Sequence, residues 1–330
     1  MNQPTRRSQL NALKLHALVS EHSGGECPVA ADEFDSFGGG AAVLVDGVAW
    51  VLLDDQPERG LGGALAWALR RSATALHVVA ERGTGLLARR AAGFRLPISV
   101  WLVDGRALSP AAAEPLPTPP PPPAQHQQLA AMITKGGALP VEEHGVLGGE
   151  VHGLEVCRVV TDPHTGALRL DVGIGADDRQ MFQMLHGDKP TVQALADVVA
   201  FVGAQRAPGA PRHPLNLLAQ ERLLRAQLIE QPGLIGAQSV AAAPPPLPRP
   251  NLKDPVPCVA VAHIDGRRIV VVCSSGVDLD LVPYAVDACT ALGLGECRLV
   301  VPARDALPIQ HTIAAAATVA ITVVGLDAVA

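Results

Sequence analysis

The sequence predicts an α/β protein that contains one module twice, and three observations support this. Segments 38–108 and 257–330 each open with two apolar runs joined by Asp-Gly, at Asp46-Gly47 and Asp265-Gly266. The last apolar run of each closes at matching distance, at Gly105, 58 residues after Gly47, and at Gly325, 59 residues after Gly266. Between these points short apolar runs alternate with helical periods, the pattern of a partly parallel sheet covered by helices. Self-similarity at a fixed spacing sets the architecture before any local motif is read.

Each copy reads β-β-α-β-α-β. In the first, the runs around Asp46-Gly47 form a hairpin, because Asp-Gly suits the two-residue turn that matches strand twist. GLGGALAWALRR from Gly60 has helical apolar spacing and ends in Arg70 and Arg71, which suit a helix carboxyl end. ALHVVAE from Ala75 is a buried strand, TGLLARRAAGF from Thr84 a helix, and PISVWLVDG from Pro97 the closing strand. The second copy repeats the order with RRIVVVCSS from Arg267, DLVPYAVDACTAL from Asp280, CRLVVPAR from Cys297, PIQHTIAAAA from Pro308 and a final VAITVVG.

Two proline-rich stretches, PLPTPPPPPAQ at 115–125 and AAAPPPLPRPNLKDPVP at 241–257, divide the chain. Proline fixes φ and removes a donor, so these read as semi-rigid spacers. The expected division is an N-terminal helical or irregular segment 1–37, the first module 38–108, a linker 109–124, a central α+β domain 125–235, a linker 236–256 and the second module 257–330. In the central domain GGEVHGLEVCRVV (148–160) and ALRLDVGIG (167–175) flank the turn TDPHTG as a long hairpin. Helices then begin at ADDRQMFQMLHGD, at Thr191 and at Pro214.

Composition narrows the function classes. With 330 residues, 48% of them hydrophobic, the chain can bury two or three cores. A net charge of −6 argues against a chain that coats nucleic acid or an anionic membrane. Lysine occurs only at Lys14, Lys135, Lys189 and Lys253, while Ala, Gly and Pro abound, as in proteins from GC-rich bacterial genomes. Cys27, Cys157, Cys258, Cys273, Cys289 and Cys297 show no Cys-x-x-Cys and no zinc-finger spacing, and read as small buried hydrophobes. With no stretch long enough to span a bilayer and no signal-peptide core, the expected location is the cytoplasm. No serine-hydrolase elbow, dinucleotide fingerprint or P-loop occurs.

The stretch ALHVVAERGTGLLARRAAGFRLPISVWLVDGRAL, with its ending Asp104-Gly105-Arg106-Ala107-Leu108, resembles the end of the Mrr-type restriction-endonuclease module in the PD-(D/E)XK superfamily. The resemblance covers about 70 residues per copy and implies a restriction-endonuclease-like fold. In such nucleases two acidic side chains hold Mg²⁺ and a lysine two residues beyond the second positions the water, because a hard cation needs oxygen ligands. The matching positions are Asp46 and Asp54 for the metal, with Gln56 where the lysine would stand; the second copy reads Cys273-Ser274-Ser275. Two degenerate copies of a dimer-forming fold imply an intramolecular pseudo-twofold pair. The expected function is therefore a non-catalytic structural or binding protein without a cofactor. Its partner would be a protein or a second copy of itself, with nucleic acid as a further candidate. The alternative is a Mg²⁺-dependent nuclease or phosphodiesterase using Asp46, Asp54 and Gln56.

Two further groups carry candidate chemistry. The first copy has eight arginines against six acids, and Arg70, Arg71, Arg89 and Arg90 on its helices are candidates for phosphate contact. In the central domain Glu150, His152, Glu155, Asp171, Asp178 and His186 are the residue types that metal and acid/base sites use. Their convergence is a question for the structure.

Overall fold

The computed structural model describes residues 6–38, 40–186, 191–211, 213–249 and 256–327. The chain begins with α1 (Arg6–Ser23), β1 (Asp35–Phe37), β2 (Gly40–Val45) and β3 (Val48–Leu53). It continues through α2 (Leu61–Arg70), β4 (Ala75–Ala80), α3 (Thr84–Ala91), β5 (Ile98–Asp104) and β6 (Ala107–Pro110). These strands form one mixed sheet in chain order, β1 to β6, with β3, β4 and β5 parallel and the other neighbours antiparallel. The β2–β3 turn has Asp46 at φ 50° and Gly47 at φ 78°, so both central residues are left-handed, as a type I′ turn requires.

Strand alternation divides the sheet residues between two layers. Trp50 and Leu52 of β3, Val79 of β4 and Val103 of β5 share a core with Leu15, Leu18 and Val19 of α1. The N-terminal segment, expected as helical or irregular, thus supplies through α1 the cover of one sheet face. On this same face His77 lies stacked on Trp50 (centroids 4.0 Å apart) and parallel to Trp101, with His22 edge-on to both tryptophans. Trp101 Nε1 donates to His77 Nδ1 at 2.7 Å. Burial, with His22 nearby, pushes the His77 imidazole down to about 4.

The central region is helical first, with α4 (Ala130–Lys135), and then an antiparallel meander of β7 (Leu139–Glu143), β8 (Val146–Val151), β9 (Leu154–Thr161) and β10 (Leu168–Val172). α5 (Gly175–His186) and α6 (Thr191–Arg206) follow. Ile133 of α4 and Leu195 and Val202 of α6 share the core of this sheet with Leu147, Leu154 and Val156. The structure corrects the strand expected over 148–160. His152 (φ 44°) and Gly153 (φ 75°) form another left-handed two-residue turn and split it into β8 and β9. His144-Gly145 does the same between β7 and β8. A Cβ on Gly153 would stand 2.2 Å from the Arg222 backbone, so glycine is needed there for space as well as for φ.

The helix expected from Pro214 starts later. Pro214–Leu217 is a 3₁₀ turn, and α7 is Gln220–Glu230. The segment 236–256, expected as a linker, holds β11 (Ser239–Ala243), which pairs antiparallel with β12 (Cys258–Ile264); residues 250–255 lie outside the described residues. β13 (Arg267–Cys273), α8 (Leu281–Leu292), β14 (Glu296–Pro302), α9 (Pro308–Ala316) and β15 (Ala320–Leu326) complete the described chain. The sheet order is β11 to β15 in sequence, with β13 and β14 parallel. Leu224 and Leu228 of α7 share a core with Cys258, Ala260, Ile269 and Val271, so α7 belongs with this sheet as much as with the central region.

The chain forms two compact units: residues 1–116, 277–296 and 307–323 in one, and 117–276, 297–306 and 324–330 in the other. In the first, α2 packs against α8 and α9, and α3 against α8. Asp287 of α8 receives Arg89 Nε at 3.0 Å and Arg90 Nε at 2.7 Å. Gly62 N–H of α2 donates to Asp280 at 2.9 Å, and a Cβ at Gly62 would stand 2.0 Å from the Leu279 carbonyl oxygen, so only glycine admits this approach. Burial, with Asp278 nearby, pushes the Asp280 carboxyl up to about 6 against the Gly62 N–H, which favours its ionised form. The fold is mixed α/β, and no described helix is long and apolar enough to cross a membrane.

The stacked imidazole gives a pH prediction. His77 titrates near 4 when folded and near 6.5 when unfolded, so the unfolded chain binds more protons between those values. Its contribution is present above about pH 6.5 and is lost as pH falls towards 4. Thermal melts of the wild type against His77→Gln, which keeps an acceptor for Trp101, should diverge over that window, with the wild type losing more. Parallel pH dependences would contradict the buried neutral imidazole.

Candidate functional site

Asp46 and Asp54 do not form one site. Asp46 occupies the turn before β3 and Asp54 follows its last residue, so the length of the strand separates them, about 20 Å at roughly 3.3 Å per residue. A Mg²⁺ ion with ligands at about 2 Å cannot be shared across that span. Asp54 is instead engaged by Arg7 Nη2 at 2.8 Å and by Asn11 Nδ2 at 3.2 Å. Burial pushes the Asp54 carboxyl up, but these bonds from α1 outweigh it and hold it below the ordinary range. Gln56 sits in left-handed backbone (φ 45°) ahead of a 3₁₀ turn. At the matching place in the second copy Cys273 is fully buried, and the Cys258 thiol together with burial pushes its own thiol well up.

Of the four arginines expected to meet phosphate, two are turned away from solvent. Arg89 and Arg90 turn inward onto Asp287, with side chains only 11% and 4% exposed. Arg71 pairs with Asp35 and lies over the Trp67 ring, 4.0 Å from its centroid; Arg70 is exposed. Arg70, Arg89 and Arg90 do lie in the last turns of their helices, but an arginine there serves equally to bind a neighbouring helix.

The central set divides likewise. His152 lies in the turn, its Nδ1 3.2 Å from Glu230 Oε1. Asp171 holds Arg169 at 2.7 Å, and Asp178 takes the Ile174 N–H at 2.6 Å ahead of α5. The His186 side chain lies outside the described residues. Among the described residues no group of three His, Cys, Asp or Glu side chains is placed to hold a metal ion.

Glu150 and Glu155 do come together, in a cleft of about 710 Å³ walled by β7, β8, β9, the start of α5, the start of α7 and Pro248-Arg249. The register shifts between Gly149 and Glu150, so that Glu155 stands opposite Glu150 while Arg158 stands opposite Gly148. Residues three apart on an undisturbed strand face opposite ways; this bulge puts Glu155 and Arg158 in the same cleft. Arg158 then holds Glu155 by two bonds, Nε and Nη2 each at 3.0 Å, and Arg179 of α5 adds a third at 2.9 Å.

At the back of the cleft Glu150 is 6% exposed and Arg225 is fully buried. Arg225 Nη2 bonds both Glu150 oxygens at 3.0 and 2.9 Å, and its Nη1 reaches Glu143 at 2.9 Å. Arg222 bonds the same two glutamates. Burial pushes the Glu150 carboxyl up, but the charges of Arg225 and Arg222 outweigh it and hold it below the ordinary glutamate value. Arg249 Nη2 lies 3.3 Å from Glu221 Oε1 without hydrogen-bond alignment. Burial raises the Glu221 carboxyl in spite of that arginine.

Sequence reading singled out the two glutamates but missed their partners. Arg222 and Arg225 sit within a strongly helical run whose apolar period masks them, Arg158 lies inside a strand run, and Arg179 reads as one of the charges at a helix amino end beside Asp177 and Asp178. Compared with protein-family models, curated proteins and solved structures, the chain matches none.

The paired charges predict a specific fragility. Arg225→Met leaves Glu143 and Glu150 sharing one guanidinium in a buried site, and breaking such a pair costs about 3–5 kcal/mol. Denaturant unfolding should register that loss. A change below about 1 kcal/mol would contradict the network.

Proposed function

We propose that the protein is a non-catalytic structural and binding protein, in which two diverged copies of one restriction-endonuclease-like module form a pseudo-twofold pair and the central region supplies the ligand site. Shared element order and the matching left-handed turns at Asp46-Gly47 (φ 50° and 78°) and Asp265-Gly266 (φ 49° and 74°) support a common origin for the copies. Pairing of α2 and α3 with α8 and α9, through Arg89, Arg90 and Asp287, supports their use as partners for each other.

The observation that carries the binding reading is the state of the cleft acids. Glu143, Glu150 and Glu155 are each held by two arginines. A general base at neutral pH needs a raised affinity for its proton and a metal ligand needs negative charge that is not already balanced, and carboxylates each paired with two guanidinium groups are poorly suited to both. The cleft volume lies in the range of small-molecule sites. Inward-facing Arg89 and Arg90 favour that class of partner over nucleic acid.

The test is calorimetric titration of Mg²⁺ and Mn²⁺ into the wild type and Asp54→Ala, with single- and double-stranded DNA oligonucleotides incubated in parallel. The expected result is no metal-binding heat in either protein and intact DNA. Metal binding that vanishes in the variant, together with cleavage by the wild type, would overturn the non-catalytic reading.

A further inference from the structure

Charge in the central cleft is unevenly shared around Glu155, although the lining as a whole carries four acids, Asp177 among them, and four arginines. Glu155 is one carboxylate serving two guanidinium groups, Arg158 and Arg179. After those bonds, Arg158 Nη1 and Arg179 Nε and Nη2 have no hydrogen-bond partner among the described residues. In the same wall His144 Nε2 and Arg222 Nε are buried and also without a partner there. The first turn of α5 borders the cleft at Gly175, Ala176 and Asp177; its backbone N–H groups have no carbonyl within the helix and the helix dipole favours negative charge, part of which Asp177 and Asp178 already supply. The lining also includes apolar Val141, Val146, Ile174 and Leu218.

We infer that this cleft binds a small molecule with a terminal oxyanion, a phosphate monoester or a carboxylate, attached to an apolar body. The oxyanion sits between Arg158, Arg179 and the start of α5, where Arg geometry and free N–H groups match its oxygens. The apolar body covers the aliphatic lining. Gly148, directly across from Arg158 in the strand register, puts no side chain into the space the ligand occupies. The inference rests on the binding reading and deepens it by naming the ligand class.

The test uses the full chain and calorimetric titration with phenyl phosphate, phenylacetate and benzyl alcohol, which share a ring and differ in charge. The expected result is saturable binding of at least one anion and at least tenfold weaker binding of the alcohol. Whichever anion binds more tightly identifies the headgroup. Arg158→Gln and Arg179→Gln should each weaken anion binding about tenfold, the equivalent of about 1.4 kcal/mol, whereas Arg82→Gln on the exposed turn before α3 should leave it unchanged. Circular dichroism checks folding; if Arg179→Gln does not fold, the Arg158 variant, whose side chain is 38% exposed, decides alone. No saturable binding of either anion at millimolar concentration, equal binding of alcohol and anion, or affinity indifferent to these arginines would overturn the inference. Failure here leaves DNA intact and metal unbound, so it is distinct from failure of the non-catalytic reading, which appears as metal-dependent cleavage.

Discussion

The pairing of Arg222 and Arg225 with Glu143 and Glu150 is the constraint on which the central cleft depends. Burying any one of these charges alone costs several kcal/mol, so each must stay within reach of its counterions. That requirement fixes the start of α7 against β7 and β8. The close approach of Gly153 to the Arg222 backbone makes the fixture tighter, and Arg206 reinforces the same corner by donating to the carbonyl oxygens of His152, Leu218 and Ala219. Burial lowers Arg206 to about 10, which still leaves it charged at neutral pH. A corner so heavily hydrogen-bonded can hold an open cleft without collapsing into it.

The same arrangement determines what chemistry remains. Glutamates locked onto arginines are counterions, and beside Asp177 the cleft wall keeps the unused donors of Arg158, Arg179 and Arg222. This is how a site rich in carboxylates becomes a receptor for an anion. In the first unit the logic is repeated with a structural end: Asp287, 2% exposed, binds both Arg89 and Arg90, Glu114 adds a second charge on Arg89, and α3 is held to α8. Arginine serves both purposes because its planar fork satisfies a carboxylate with two parallel bonds.

Much of the fold was legible in the sequence because it rests on local rules. Asp-Gly announced both module hairpins, and the strand and helix order of both copies follows from periodicity. The misses have definite causes. His144-Gly145 and His152-Gly153 make the same turn as Asp-Gly, yet histidine is a weaker turn signal, so one long strand was expected where two exist. β11 lies in an alanine-rich stretch beside prolines, a composition that suits a spacer unless a neighbouring strand recruits it. The site was half legible. Glu150 and Glu155 were identifiable as unusual acids, whereas their arginines arrive from α5 and α7, and the bulge at Gly149 and Glu150 that aligns Glu155 with Arg158 leaves no mark in the sequence. Asp46 and Asp54 were matched by resemblance alone, and strand length separates them.

The central claim is that the cleft acids are ionised counterions of buried arginines. Carbon-13 NMR of the glutamate carboxyls, followed through a pH titration with Glu150 assigned by its Gln variant, tests it most directly. Glu150 is expected to titrate below its ordinary value of 4.5 in spite of its burial. A midpoint at or above that value would mean that burial outweighs the arginines, leave a protonatable acid inside the cleft, and contradict the account.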